Sequence, residues 1–173
     1  MSTTRPDPKP GDRIDKYEIL RKVGHGGAAT IYLAEQKWTK RKVALKLFTP
    51  LPADVLASLH RAMETLASLD YPNITHLYDA GEQDGCLYQI IEYIDRGTLE
   101  DMIASDDAIP ATVVLKLMID IADALDYIHG HGIAHGDVKP NNVLISRAGI
   151  PVLADLTLGA VLADGAFLDR VIG

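Results

Sequence analysis

The chain predicts an α+β fold in which a small, strand-rich lobe precedes a mainly helical part. Three observations carry this. Short β-like runs crowd residues 17–48 and 74–93, one apolar-periodic segment at 53–69 interrupts them, and the longest helical pattern, 110–130, follows.

With 173 residues, 47% apolar side chains, 24% charged and a net charge of −7, the chain can build a real core as one compact unit or two small lobes. The acidic balance argues against nucleic acid or an anionic membrane surface as main partner, unless a local basic patch overrides it. Cys86 is alone, so there is no internal disulfide framework, and a reducing, cytoplasmic setting is expected. The first dozen residues hold charge and prolines rather than an apolar leader, and no run of apolar residues is long enough for a membrane span.

Residues 1–13, with Pro6, Pro8, Pro10 and Gly11 among charges, read as a disordered tail. From Tyr17, two β-like runs flank Gly24-His25-Gly26-Gly27-Ala28-Ala29 and read as a hairpin. Its glycines have two readings: a plain turn, or a loop whose missing Cβ atoms let backbone amides approach a phosphate. Lys42–Phe48 is a third strand by alternation, with Lys46 inside an apolar run. The basic cluster Lys37 to Lys42, holding Trp38, caps the turn before it and is assigned no chemistry. Ala53–Leu69 is helical by its spacing and stops before Pro72. Ile74–Asp79 and Leu87–Tyr93 follow as strands around a turn at Gly81–Gly85. Thr98 caps a short helix to Ala104. Pro110–Gly130 carries the apolar stripe Val114, Leu117, Met118, Ile121, Leu125 and Ile128, with Gly130 ending it.

The chemistry lies in His135-Gly136-Asp137-Val138-Lys139-Pro140-Asn141-Asn142, with Asp155 beyond an apolar hairpin. An Asp can orient a hydroxyl nucleophile, a Lys two residues on can neutralise phosphate charge, and an Asn with a second Asp suits a hard cation. His129, His131 and His135 lack the companion ligands a metal site needs, and His135 reads as a core histidine steadying the loop.

This segment resembles the catalytic loop of protein kinases, and Val43-Ala44-Leu45-Lys46, about twenty residues after the glycine hairpin, resembles the strand that carries their nucleotide-binding lysine. Taken together, the chain resembles the first two thirds of a Ser/Thr protein kinase domain of the eukaryotic-like bacterial kind. Phosphotransferases of the aminoglycoside type also use His-Gly-Asp, but usually with His where Lys139 stands. The resemblance implies a five-stranded antiparallel small lobe with one helix over 14–94, and an incomplete, mainly helical large lobe over 95–173. It implies ATP and Mg2+ bound in the cleft between lobes. Asp137 would be the catalytic base and Lys139 would stabilise the transferring group. Asn142 and Asp155 would ligate magnesium. Gly24, Gly26 and Lys46 would meet the phosphates, Ile31, Ala44 and Leu144 would sandwich the adenine, and the backbones of Glu92 and Ile94 would meet its edge, with Ile91 as gatekeeper. Leu66, Leu77, His135 and Leu156 match the apolar stack that joins the lobes.

Several residues depart from the family pattern. Ala29 replaces the third loop glycine, Gly136 an arginine, and Asp155-Leu156-Thr157 replaces Asp-Phe-Gly. The helix glutamate that should pair with Lys46 falls at Ala62; Glu64 is two residues on, a turn of roughly 200° around the helix. The chain also stops at Gly173, where the family continues into its substrate-binding part, so an apolar face is expected to be left for a protein partner or a second copy to cover. Three readings follow: a Ser/Thr kinase, a nucleotide-binding pseudokinase with little or no catalysis, and a scaffold with no ligand. Nucleotide binding with weak or no protein phosphorylation is the expectation for the chain as written.

Overall fold

The computed structural model describes residues 7–26, 29–105 and 108–156. Gly27, Ala28, Thr157 and the chain's end therefore lie outside the described residues. The elements are β1 (Arg13–Ile14), β2 (Tyr17–His25), β3 (Ala29–Gln36), β4 (Lys42–Phe48), α1 (Ala53–Ser68), β5 (Leu77–Gln83), β6 (Cys86–Glu92), α2 (Leu99–Ala104), α3 (Ala111–Gly130), a 3₁₀ turn (Pro140–Asn142), β7 (Val143–Ile145) and β8 (Pro151–Leu153). They form two compact units. The first takes the described residues to Leu51 together with Leu77–Tyr93; the second takes Pro52–His76 and the described residues from Ile94. Helix α1, expected within the small lobe, thus groups with the second unit.

The first unit is one antiparallel sheet in the order β1-β2-β3-β4-β6-β5. The five expected strands are present, and the two-residue β1 adds a sixth. Val43, Leu45 and Leu47 of β4 join Ile14, Ile19, Tyr32, Tyr88 and Ile90 in one buried cluster. Burying each such side chain contributes about 1.5–3 kcal/mol, so this cluster is the main force holding the sheet. Alternation along β4 sends Ala44 and Lys46 to the other face. The sheet curls until its two ends meet. Tyr17, on β2, donates its hydroxyl to Asp79 of β5 at 3.0 Å, Lys16 lies 2.7 Å from the same carboxylate, and the Asp15 N–H donates to Gln83 at 2.7 Å. Burial, then the Asp79 bond, pushes the Tyr17 pKa up to about 12. Burial opposes ionisation of Asp79, but the Lys16 and Tyr17 bonds outweigh it and hold that carboxyl below its usual range.

Three expectations need correction here. Residues 7–13 are not a loose tail: Gly11, at φ +92°, donates its N–H to Ile19 at 2.8 Å, Ile19 returns one to Asp12, and Asp7 pairs with Lys22 at 2.6 Å. The composition argument counts apolar burial and misses this hydrogen-bonded docking onto β2. The strand expected from Ile74 begins at Leu77, because Ile74 instead bridges Leu153 in the second unit. The turn expected over Gly81–Gly85 is only Asp84-Gly85, both at positive φ, a tight two-residue hairpin turn joining Gln83 to Cys86. Gly81 lies inside β5 for another reason: a Cβ there would sit 2.5 Å from the Tyr88 hydroxyl and 2.7 Å from its ring.

In the second unit, α1 buries Leu59, Ala62, Met63 and Leu66, the face its spacing predicts. The loop after it is sewn to β8. Leu153 donates to the Asn73 carbonyl at 2.8 Å, Thr75 to Leu153 at 2.9 Å, and the Asn73 side chain to Pro151 at 2.8 Å. Tyr71 stacks on Tyr127 of α3 at 4.6 Å. Helix α2 starts on a capping box in which Thr98 and Asp101 satisfy each other's backbone N–H. The buried line of α3 is Leu117, Ile121, Ala124 and Ile128. It is narrower than the stripe expected from sequence, since Val114 and Met118 are exposed, with Leu115 and Ile119 beside them.

Gly81→Ala is expected to displace the buried Tyr88 ring and to destabilise the fold by about 1–3 kcal/mol in urea denaturation. An unchanged midpoint would show that Tyr88 does not occupy this place.

Candidate active site

Helix α3 delivers the loop that holds Asp137, Lys139 and Asn142. It stops at Gly130 as expected, but the residue that turns the chain is Gly132, at φ +75°. The Gly132 N–H bonds the His129 carbonyl at 2.9 Å, and the N–H of Ile133 reaches back to Ile128 at 3.0 Å. That pattern is a Schellman closure, with buried Ile128 and Ile133 as its apolar contact. Two residues later His135 is buried and accepts the Asp137 N–H on Nδ1 at 3.3 Å. The ring proton is therefore on Nε2, which meets no acceptor with hydrogen-bond geometry among the described residues. Burial pushes the His135 pKa down and outweighs the Ala154 backbone, which favours the charged ring. A neutral histidine thus orients the loop, as the sequence reading expected of a core residue.

Asp137, Lys139 and Asn142 converge within six residues. Pro140 opens the 3₁₀ turn, where its missing N–H costs nothing, and the Asn142 N–H closes it on the Lys139 carbonyl at 2.9 Å. This folds the Asn142 amide back onto Asp137. It donates to the Asp137 carbonyl at 2.8 Å and to Oδ2 at 2.9 Å, while the Lys139 ammonium lies 2.6 Å from the same Oδ2. Oδ1 accepts nothing among the described residues. Lys139, followed by Asn142, holds the Asp137 carboxyl below its usual range, and Asp137 in turn raises the Lys139 pKa. Both side chains are more than a third exposed, so the pair adds little stability, and its effect is to place and ionise the carboxylate.

Asp155 is positioned from the same turn. The Ala154 N–H bonds the Asn142 carbonyl at 2.8 Å, and Asp155 follows at φ +64°, a left-handed conformation that costs an L-residue about 1–3 kcal/mol. Leu156 beyond it is buried. Leu144 lies on β7, half-buried and paired with Val152.

The remaining candidates fall in a row across the first unit's sheet. Gly24 pairs with Ile31, Ile31 with Lys46, and Lys46 with Gln89; one step along, Leu33 pairs with Ala44 and Ala44 with Ile91. Directly paired residues share a face, so Gly24, Ile31, Ala44, Lys46 and Ile91 occupy the face opposite the core cluster. A register shift between Lys22 and Gly24 bulges β2 at the glycines. Lys46 is buried, with its ammonium 5.3 Å from the Phe48 ring centre. Gly26 donates to Ala29 at 2.9 Å across the hairpin. Glu92 ends β6 and Ile94 follows in the second unit, both half-buried.

The family model for the protein kinase domain matches residues 17–173, nearly the whole chain. The chain belongs to the protein kinase domain family. It is 34% identical over 158 residues to the serine/threonine-protein kinase PrkC of Bacillus subtilis, covering 89% of this chain and 24% of that protein. It is also 32% identical over 178 residues to the probable serine/threonine-protein kinase PknB of Bifidobacterium longum (96% and 25% covered). Against the serine/threonine-protein kinase PknB of Mycolicibacterium smegmatis the identity is 34% over 160 residues (87% and 25% covered). The chain thus spans about a quarter of the length of these relatives.

Within this kinase domain, Ala62 is buried on α1 and Glu64 is exposed, as the helical offset predicts. Gly136 adopts φ +80°, which an arginine would adopt only with strain. Leu66, Leu77, His135 and Leu156 are each buried. Two features of the site were not anticipated from the sequence. One is the double donation of Asn142 to Asp137, for which the Pro-Asn-Asn turn was the available signal. The other is the left-handed backbone of Asp155, for which the only signal was that aspartate tolerates this region better than most residues.

Because the folded-state pKa of Asp137 is depressed, its ion pair is intact above the ordinary carboxylate range and is lost only as pH falls below it. In Lys139→Met the Asp137 midpoint, followed by carboxyl 13C shifts, is expected to move up towards the ordinary carboxylate range. An unmoved midpoint would mean the pair does not form in solution.

Proposed function

We propose that this kinase domain binds ATP with Mg2+ and transfers the terminal phosphoryl group to a protein Ser or Thr hydroxyl. The observation that carries this reading is the Asp137 carboxylate: ionised, tethered through Oδ2 to Asn142 and Lys139, with Oδ1 left to accept a hydroxyl proton. Geometry of this kind contributes by orienting a nucleophile in a ready position rather than by strong basicity. Lys139, an exposed cation on the same loop, would neutralise charge on the group in transit.

The donors present fit a magnesium ion. The Asn142 NH2 is consumed by Asp137, which leaves its amide oxygen, and Asp155 adds a carboxylate held through Ala154 beside Asn142. One amide and one carboxylate suit a small cation that keeps waters and substrate phosphates as its other ligands. When bound, the ion would offset phosphate charge. In the first unit, Lys46 would pair with phosphates. At Gly24 a Cβ would meet nothing within 4 Å, and φ there is not in the left-handed region, so the fold alone does not require glycine; close approach of a phosphate to the backbone would. Within the first unit Ile31 and Ala44 would offer apolar surface to a purine and the Glu92 backbone would meet its edge; Leu144 and the Ile94 backbone are the second unit's candidates for the same roles.

A second reading, a nucleotide-binding pseudokinase, is favoured by one observation: α1 carries a buried alanine, Ala62, at the place of the family's glutamate. The two readings separate cleanly. ATP with magnesium is expected to raise the melting temperature of the chain, EDTA to remove most of the shift and Lys46→Ala to abolish it. Phosphoryl transfer from labelled ATP to a Ser/Thr peptide mixture, lost in Asp137→Asn, would establish the kinase reading. A shift without transfer would establish the pseudokinase, and no shift at all would overturn both.

A further inference from the structure

The β3–β4 turn combines features that nucleotide chemistry does not use. Trp38, the only tryptophan of the chain, is 79% exposed at its apex. Lys37, Lys40, Arg41 and Lys42 surround it, all exposed. A single exposed indole needs no explanation; an indole set among four cations on an acidic chain does.

The turn is rigid. Gln36 and Arg41 close it with a 2.9 Å backbone bond, the Lys40 N–H reaches the Gln36 carbonyl at 2.9 Å, and the Thr39 hydroxyl donates to the Gln36 side chain at 2.6 Å. Lys40 sits at φ +57°, and the Lys37 N–H is tied to the Lys16 carbonyl at 2.9 Å. The Lys37 ammonium lies 4.9 Å from the Trp38 ring centre, and the Arg41 guanidinium 4.9 Å from the Tyr78 ring. Glu35 is the acid of this tip, 3.0 Å from Lys40 and across the strand pair from Lys42. Among the described residues Lys37, Arg41 and Lys42 form no ion pair with an acid. The net positive excess is therefore presented outwards beside the indole.

We infer that this turn docks on an anionic lipid bilayer surface, with Trp38 at headgroup depth and Lys37, Arg41 and Lys42 on the lipid phosphates and carboxylates. Tryptophan prefers the membrane–water interface because its ring is apolar and its N–H polar, and basic residues beside it add attraction to anionic headgroups. The overall charge of −7 does not cancel this, since at physiological salt charges beyond about 8 Å are screened and the tip is felt locally. Tyr78, 39% exposed beneath Arg41, gives this tip a second aromatic, so single-stranded nucleic acid, which stacks on such rings, is the competing ligand that the test separates from a bilayer.

Trp38 makes the test direct. With the full chain and phosphatidylcholine vesicles, adding phosphatidylserine is expected to shift Trp38 emission to the blue and to carry the protein into the vesicle pellet. Salt should reverse both. Lys37→Gln and Arg41→Gln should each weaken binding about fivefold, and Trp38→Ala should lose sedimentation while circular dichroism stays unchanged. Absence of any shift, equal binding to neutral vesicles, or response to a single-stranded oligonucleotide but not to vesicles would overturn the inference.

Discussion

The side-chain amide of Asn142 is the contact on which the candidate site depends. Its NH2 group holds the Asp137 backbone and carboxylate together, and its own backbone carbonyl takes the N–H of Ala154. A short 3₁₀ turn makes this possible by bringing Asn142 back over residues it has just left. One residue thus sets the direction of the proposed base and the entry of the chain into the strained Asp155. His135 supports the same loop from the buried side, accepting the Asp137 N–H with a ring kept neutral by burial. Little of this arrangement stabilises the fold; it positions charge.

The first unit separates stability from chemistry by strand alternation. On β4, Val43, Leu45 and Leu47 face the buried cluster, whereas Ala44 and Lys46 share the opposite face with Gly24 and Ile31. Curling of the sheet, fastened where Tyr17 and Lys16 meet Asp79, encloses the core face. The candidate residues can then be set by ligand chemistry without disturbing the packing beneath them. The same sheet projects the Trp38 turn.

Much of this was legible in the sequence where the signal is local. The alternation of Lys42–Phe48 and the three- and four-residue spacing of α1 each lead to the element found, because one buried face fixes the period. The loop from Asp137 to Asn142 was legible as a spacing of Asp, Lys and Asn whose side chains the fold brings together. What was not legible depends on distant partners. Ile74 looks like the start of a strand, yet its partner Leu153 lies far along the chain. Residues 7–13 dock through glycine geometry and backbone bonds that composition does not register. Val114 and Met118 fit the helical stripe of α3 but are not covered. Positive φ at Asp155 is permitted by aspartate but not specified by it, since most aspartates among the described residues do not adopt it.

The most direct test of the account is paramagnetic. Manganese substituted for magnesium, with ATP present, broadens NMR signals of groups near the ion. The account predicts selective loss of the Asn142 side-chain NH2 and Asp155 amide signals. Broadening that spares both residues, or that follows exposed carboxylates at random, would contradict the assignment of this loop as a prepared site for phosphoryl transfer.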